Sequence, residues 1–205
     1  MSAFSNSGEA TPAAVARVER ARLARPNGWW GMAIFCASEA MLFALLVGTY
    51  WYLRFRAVHW PPPGIEPPSV TLPLVLTGVL LVSSAPIQLA ARAARAGRLR
   101  ATRAALFVAL ALQTAYFGVQ LHLFLADLDK FTPQQGAYGS AYFTLVGAHH
   151  THVGVGLLLD AWLLLRLSRG LTPYRLNGLR ATAFYWHFVN ALAVVVVLTQ
   201  LSPSL

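Results

Sequence analysis

Three histidines fall within four residues of a long apolar run, Ala148-His-His-Thr-His-Val153, and Asp160 follows in the same run. Glu39 and His187 sit in two other apolar runs. Imidazoles suit zinc, copper or iron, and carboxylates with histidines inside a membrane can make proton relays. Spacing separates these chemistries. On a helix, His149 and His152 are i, i+3 neighbours while His150 points elsewhere. At about 100° per residue, Asp160 returns to within about 20° of His149, three turns further on. His149, His152, Gly156 and Asp160 therefore share one polar face. Ser140, Thr144, Gly147, Thr151 and Gly154 form a second stripe, of small residues that let another helix approach closely. A membrane di-iron site would need more histidine clusters with carboxylates at helical spacing. His122 and His187 lie towards opposite faces of the membrane and cannot share a haem axis. Hydrogen-bonded structural histidines are the better expectation, with no metal ligand and no catalytic residue on this chain.

Composition says what kind of element holds these groups. Of 205 residues, 57% are hydrophobic and only 11% charged, with a mean hydropathy of +0.54. An average soluble domain is about a quarter charged. Sixteen basic and seven acidic residues cannot coat a 22.3 kDa globule, so a soluble enzyme is excluded. The net charge of +9 is spread thinly between apolar runs. That pattern reads as basic loops flanking membrane spans, not as a nucleic-acid surface. Cys36 is the only cysteine, which leaves no disulfide framework, CxxC pair or zinc ribbon.

The charge-poor intervals locate the spans. Arg25 to Arg54 encloses 28 residues whose only charge is Glu39, and Glu66 to Arg92 encloses 25 with none. Arg103 to Asp127 encloses 23 with none, Lys130 to Arg166 encloses 35 broken only by Asp160, and 25 uncharged residues follow Arg180. A spanning helix needs roughly 20 apolar residues, so each interval holds one. The expected fold is an all-α integral membrane bundle of five transmembrane helices, near 30–53, 71–91, 104–126, 141–165 and 182–201. Residues 29–205 form that domain, and residues 1–28 a cytoplasmic arm with a short amphipathic piece around Val15–Leu23 and no signal-peptide core. The proline-rich Trp60–Pro68 segment must be a loop, and Pro86 should kink the second span. Thirteen basic residues fall on one side of this arrangement and three on the other, which puts the N-terminus in the cytoplasm and the C-terminus outside.

Counting depth suggests which polar groups meet. Glu39 lies about 14 Å and His152 about 20 Å from the cytoplasmic ends of their spans, so a Glu39–histidine contact is geometrically open. Asp160 and His187 both lie about 7–8 Å from that face, and their pairing is a second expectation. Arg92, Arg95, Arg98, Arg100, Arg103, Arg175 and Arg180 are candidates to hold anionic lipid head groups, with topology alone as the competing explanation. Trp29, Trp30, Trp51, Tyr52, Trp60, Tyr185 and Trp186 sit at span ends, where aromatic residues anchor the interface.

These residues carry a resemblance. Trp30-Gly-Met-Ala-Ile-Phe-Cys-Ala-Ser-Glu39 with Ala-Met-Leu-Phe43, then Trp60-Pro-Pro-Pro-Gly-Ile65, resemble the opening helix and following loop of the cytochrome c oxidase subunit III family. Ala137-Tyr-Gly-Ser140, Gly147-Ala-His149 with His152-Val153, and Tyr185-Trp-His-Phe-Val189 are similar to its later motifs, in the same order. The resemblance implies the short, five-helix form of an accessory subunit. Such a subunit has no redox cofactor of its own, haem and copper being carried by partner subunits. It docks on subunit I of a haem-copper oxidase, with subunit II and a larger supercomplex as further partners, in the plasma membrane. It also implies bound phospholipid between the helices, support for proton uptake, and protection against turnover inactivation. Glu39 matches the family's carbodiimide-reactive carboxyl, and His149, His152 and His187 match its histidines. The chain departs from the pattern in four places: Asn190 stands where Asp is usual, Gln120 and His122 where Glu is frequent, Gln135 and Gly136 where Asp is frequent, and Asp160 where the family is apolar. The missing aspartate next to His187 makes Asp160 the expected substitute partner.

A quinol oxidase or a nitric oxide reductase with a related subunit would need a very similar chain. From another class, a small proton-coupled transporter would use Glu39, Asp160 and the histidines as its relay, although no internal repeat of the transporter kind is present. A membrane haem or metal enzyme is the third reading.

Overall fold

The computed structural model describes residues 26–67 and 69–204, and every element in it is helical. The N-terminal arm up to residue 25, with its amphipathic piece, lies outside the described residues. Six α-helices follow: α1 Asn27–Arg56, α2 Thr71–Val82, α3 Ser84–Arg95, α4 Leu99–Lys130, α5 Ala137–Leu167 and α6 Pro173–Leu201. Short 3-10 turns sit at Pro133–Gln135 and Ser202–Ser204. Among the described residues four stretches are long and apolar enough to cross a membrane: Asn27–Arg56, Thr71–Arg95, Leu99–Lys130 and Pro173–Ser204. The 31-residue α5 is of the same length but carries His149, His150, His152 and Asp160.

The second expected span is α2 and α3 together, interrupted at Ser83. Pro86 has no N–H for the carbonyl of Val82, and its ring crowds that carbonyl, so the break one turn earlier follows from its chemistry. The Ser83 hydroxyl donates to the Leu80 carbonyl at 2.6 Å and satisfies backbone exposed by the break. The last helix begins nine residues before the expected span. Thr172 caps it by accepting from the Arg175 N–H at 3.3 Å, and Pro173 stands in the first turn, where a missing donor costs nothing. Arg175 and Arg180 are therefore helical residues and not loop residues.

The α6 helix is the centre of the bundle, packed against α1, α2, α3 and α5, while α4 touches α2, α3 and α5. Trp186, Tyr185, Val189 and Ala193 of α6 are buried with Leu76, Leu80, Ile87, Tyr116 and Val153. By contrast α1 is peripheral, touching α5 and α6, and buries Cys36, Phe43 and Tyr50 at seven-residue spacing. Its Ile34, Met41, Leu45 and Phe55 face outward. At the end of the bundle holding the Pro-rich loop, Trp60 packs edge-on to Tyr50 and Tyr138, with ring centroids at 5.3 and 5.1 Å. There Gly139 passes so close to the Thr132 carbonyl that a Cβ would overlap it. Gly139→Ala should therefore push α5 off this cap and cost about 1–3 kcal/mol. Thermal denaturation in detergent tests this, and an unchanged midpoint would contradict it.

Candidate functional site

The depth expectation for Glu39 holds. His152 Nε2 lies 3.0 Å from Glu39 Oε2, joining α5 to α1 near mid-helix. The other ring nitrogen, Nδ1, lies 2.8 Å from the Ala148 carbonyl one turn earlier, and Phe43 stands edge-on to the imidazole at 5.1 Å. The Tyr185 hydroxyl donates to the His152 carbonyl at 2.8 Å, so α6 braces the same turn of α5. Both side chains are largely but not wholly buried, with 12% of His152 and 22% of Glu39 accessible.

The expected polar face of α5 divides. His152 turns to α1, while His149, Gly156 and Asp160 turn into the protein and are buried. Among the described residues neither His149 ring nitrogen has a hydrogen-bond partner. His150 places Nδ1 2.8 Å from the Val146 carbonyl and its ring beside Phe117 and Phe124 of α4. At Gly156 a Cβ would lie 2.6 Å from Trp186 Cζ2, so glycine is what allows α5 and α6 to close on the indole.

Asp160 and His187 do not find each other. In the amide orientation that satisfies both ends, Gln113 of α4 donates to Asp160 Oδ2 at 2.9 Å and to the Ala109 carbonyl at 3.1 Å. The Trp186 indole N–H also faces this carboxyl, without closing to hydrogen-bond geometry. His187 instead meets Gln88 of α3 through Nε2. Asn190, one turn on, donates to the Ser84 hydroxyl at 2.6 Å and to the Leu80 carbonyl at 3.2 Å, both at the break between α2 and α3. The physical reason is bundle order: the α5 face with Asp160 meets Gln113 of α4 and Trp186 of α6, whereas His187, the next residue of α6, turns to α3. Equal depth brings two groups together only when their helices turn them to each other. Gln88 and Gln113 were the overlooked partners, and an amide in the middle of an apolar helix was the available signal.

Two other expectations change. Ser140, Thr144 and Thr151 of the small-residue stripe are exposed, and Thr151 donates to the Gly147 carbonyl at 2.9 Å. Gly147 and Gly154 meet the rings of Phe124 and Phe117 rather than a bare helix backbone. Among the head-group candidates, Arg92, Arg95, Arg98 and Arg100 are exposed at the α3–α4 turn. Arg103 is committed in part within the bundle: its Nε and an Nη donate to the Leu167 carbonyl at 3.0 and 2.6 Å, closing the end of α5. Arg175 donates to the Gly170 carbonyl at 2.6 Å, and Arg180 is half-buried. Between the ends of α1, α5 and α6 lies a cavity of about 230 Å³ lined by Gly28, Trp162, Arg166, Tyr174, Arg175 and Asn177. The Arg166 guanidinium lies over the Trp162 ring at 4.9 Å, a basic group on an aromatic wall.

What these groups define is a helical membrane protein whose buried polar side chains tie helix to helix. Among the described residues no three His, Cys, Asp or Glu side chains gather closely enough to hold a metal ion. A family model described as cytochrome c oxidase subunit III matches residues 23–201. Cytochrome c oxidase subunit 3 of Bacillus subtilis is 30% identical over 181 residues, covering 87% of each chain. Quinol oxidase subunit 3 of the same organism is 29% identical over 171 residues, covering 82% of each. Cytochrome c oxidase subunit 3 of Papio hamadryas is 34% identical over 176 residues, covering 80% of this chain and 64% of its own length. The chain belongs to the cytochrome c oxidase subunit III family, the subunit III of haem-copper oxidases, and is a multi-pass membrane protein.

Proposed function

We propose that this chain is the non-catalytic subunit III of a proton-pumping cytochrome c oxidase in a plasma membrane. In this reading it stabilises subunit I, lies against it together with subunit II, and supports proton uptake, while haem and copper stay on the partner chains. The observation that carries this is the match along residues 23–201, with 87% of a bacterial cytochrome c oxidase subunit 3 covered. The quinol oxidase reading stands beside it because the corresponding Bacillus subunit is matched over 82% of both chains, and the donor would be bound by other subunits. Nothing in the bundle favours the transporter.

The five-span topology belongs to the same proposal, with α5 as the fourth span, the N-terminus cytoplasmic and the C-terminus outside. An α5 of 31 residues is about 46 Å long, enough to cross, and its histidines and Asp160 are mostly turned to protein. The cavity beneath Arg166 supports bound phospholipid: a guanidinium on an indole at the membrane edge, above apolar walls, suits a phosphate with acyl chains.

Oxidase prepared with and without this chain tests the accessory role. Equal reduced-minus-oxidised haem spectra, with faster loss of activity over repeated turnovers in the preparation lacking it, are the expected result. Absence of the haem bands would mean the chain is needed to build the centres. Glu39→Gln should likewise leave the haem spectrum unchanged, since the amide keeps a hydrogen bond to His152. Loss of haem in that variant would contradict a role confined to α1 and α5.

A further inference from the structure

The Glu39–His152 contact limits how many protons the pair holds. A carbonyl oxygen only accepts, so the 2.8 Å contact with Ala148 requires a proton on His152 Nδ1. Nε2 and Glu39 Oε2 at 3.0 Å then need a proton between them. Either the carboxylic acid donates to a neutral ring, or an imidazolium donates to the carboxylate, and both states are net neutral. With that proton gone, a lone pair faces a carboxylate oxygen and the contact becomes repulsive. A further proton leaves Nε2–H donating to the acid's carbonyl oxygen, so the bridge survives acidification.

Position gives this a consequence. The α1 helix touches the bundle along α5 and α6, through Cys36, Phe43 and Tyr50, and no other ion pair ties it down among the described residues. The titratable groups facing the pair are Cys36 on α1, His149 on α5 and Tyr185 on α6, and no charged side chain is recorded against it from α2, α3 or α4 among the described residues. We propose that Glu39 and His152 form a one-proton binding site that latches α1 to α5, closed while the proton is held and released when it leaves. This goes beyond the oxidase reading and does not depend on it.

Cys36, buried on α1 one turn before Glu39 and the only cysteine of the chain, reports the latch. The experiment measures its labelling by a membrane-permeant maleimide in native membranes holding the full chain, from mildly acidic to alkaline pH, read by mass spectrometry. Glu39→Gln is the reference, because its amide pairs with Nε2 at every pH, donating to the neutral ring and accepting from the imidazolium, and dividing by its rate removes the pH dependence that the thiol has without a neighbouring carboxylate. The wild-type to Glu39→Gln ratio should be near one in acid and rise on the order of tenfold in alkali, as expected when one charge-assisted hydrogen bond is lost. Glu39→Ala should label faster than Glu39→Gln at every pH. A ratio that stays at one until the protein comes apart, or no labelling of any variant, would overturn the proposal. Should Glu39→Ala fail to accumulate, the wild-type to Glu39→Gln ratio decides alone.

Discussion

Gly156→Leu is expected to prevent α5 and α6 from docking, and Gly156→Ala to weaken the docking measurably. A single added methyl would come within 2.6 Å of Cζ2 and 2.9 Å of Cε2 of the Trp186 indole. That indole is fully buried in the core with Tyr185 and Val189, so displacing it disturbs the packing around it. Overpacking of this kind costs about 1–3 kcal/mol for the first carbon and more for a branched side chain. Close approach matters here because lipid offers no hydrophobic reward for helix contact, leaving packing and polar contacts to hold the bundle. Gly154→Ala is the internal control: its Cβ would stand 3.9 Å from Phe117 Cζ, an ordinary contact, on the same helix. Thermal midpoints of the purified variants should therefore separate strongly, with Gly154→Ala near wild type. Equal midpoints for Gly154→Ala and Gly156→Ala would contradict the packing described here.

Gln113→Leu should produce the second large effect, by leaving Asp160 without its amide. Both residues are fully buried, and the pair joins α4 to α5. Removing one partner leaves a buried carboxyl to bear its own desolvation, about 1–3 kcal/mol, whereas removing both leaves two apolar side chains facing each other. Gln113→Leu alone should destabilise, and Gln113→Leu with Asp160→Leu should recover most of the loss. Asp160→Asn should be mild, since an amide oxygen still accepts from Gln113. Additive losses in the double variant would show that the two residues act independently.

How much of this was legible in the sequence depends on what each inference needed. Charge-poor intervals and the helical period require only local information, and with them the helices and the break near Pro86 could be read. The Glu39–His152 contact was legible because height along each helix left the choice open and the actual neighbours, α1 and α5, turn those faces together. Asp160 and His187 share a height as well, but their helices face α4 and α3, and the order of helices around α6 is a property of the whole bundle that no periodicity encodes. The same limit hid Gln113, Gln88 and the Arg103–Leu167 cap, each a contact between distant segments. The start of α6 was misplaced for a different reason. Arg175 and Arg180 look like loop residues only if charge must lie outside helices, whereas Thr172 and Pro173 carry the stronger, local signal of a helix start.

The most direct test of the central reading is purification through a tag on this chain in mild detergent, followed by mass spectrometry and a reduced-minus-oxidised spectrum. The account predicts co-purifying haem together with a large many-span oxidase subunit. The chain emerging alone and without haem, in a detergent shown to keep membrane complexes together, would contradict it.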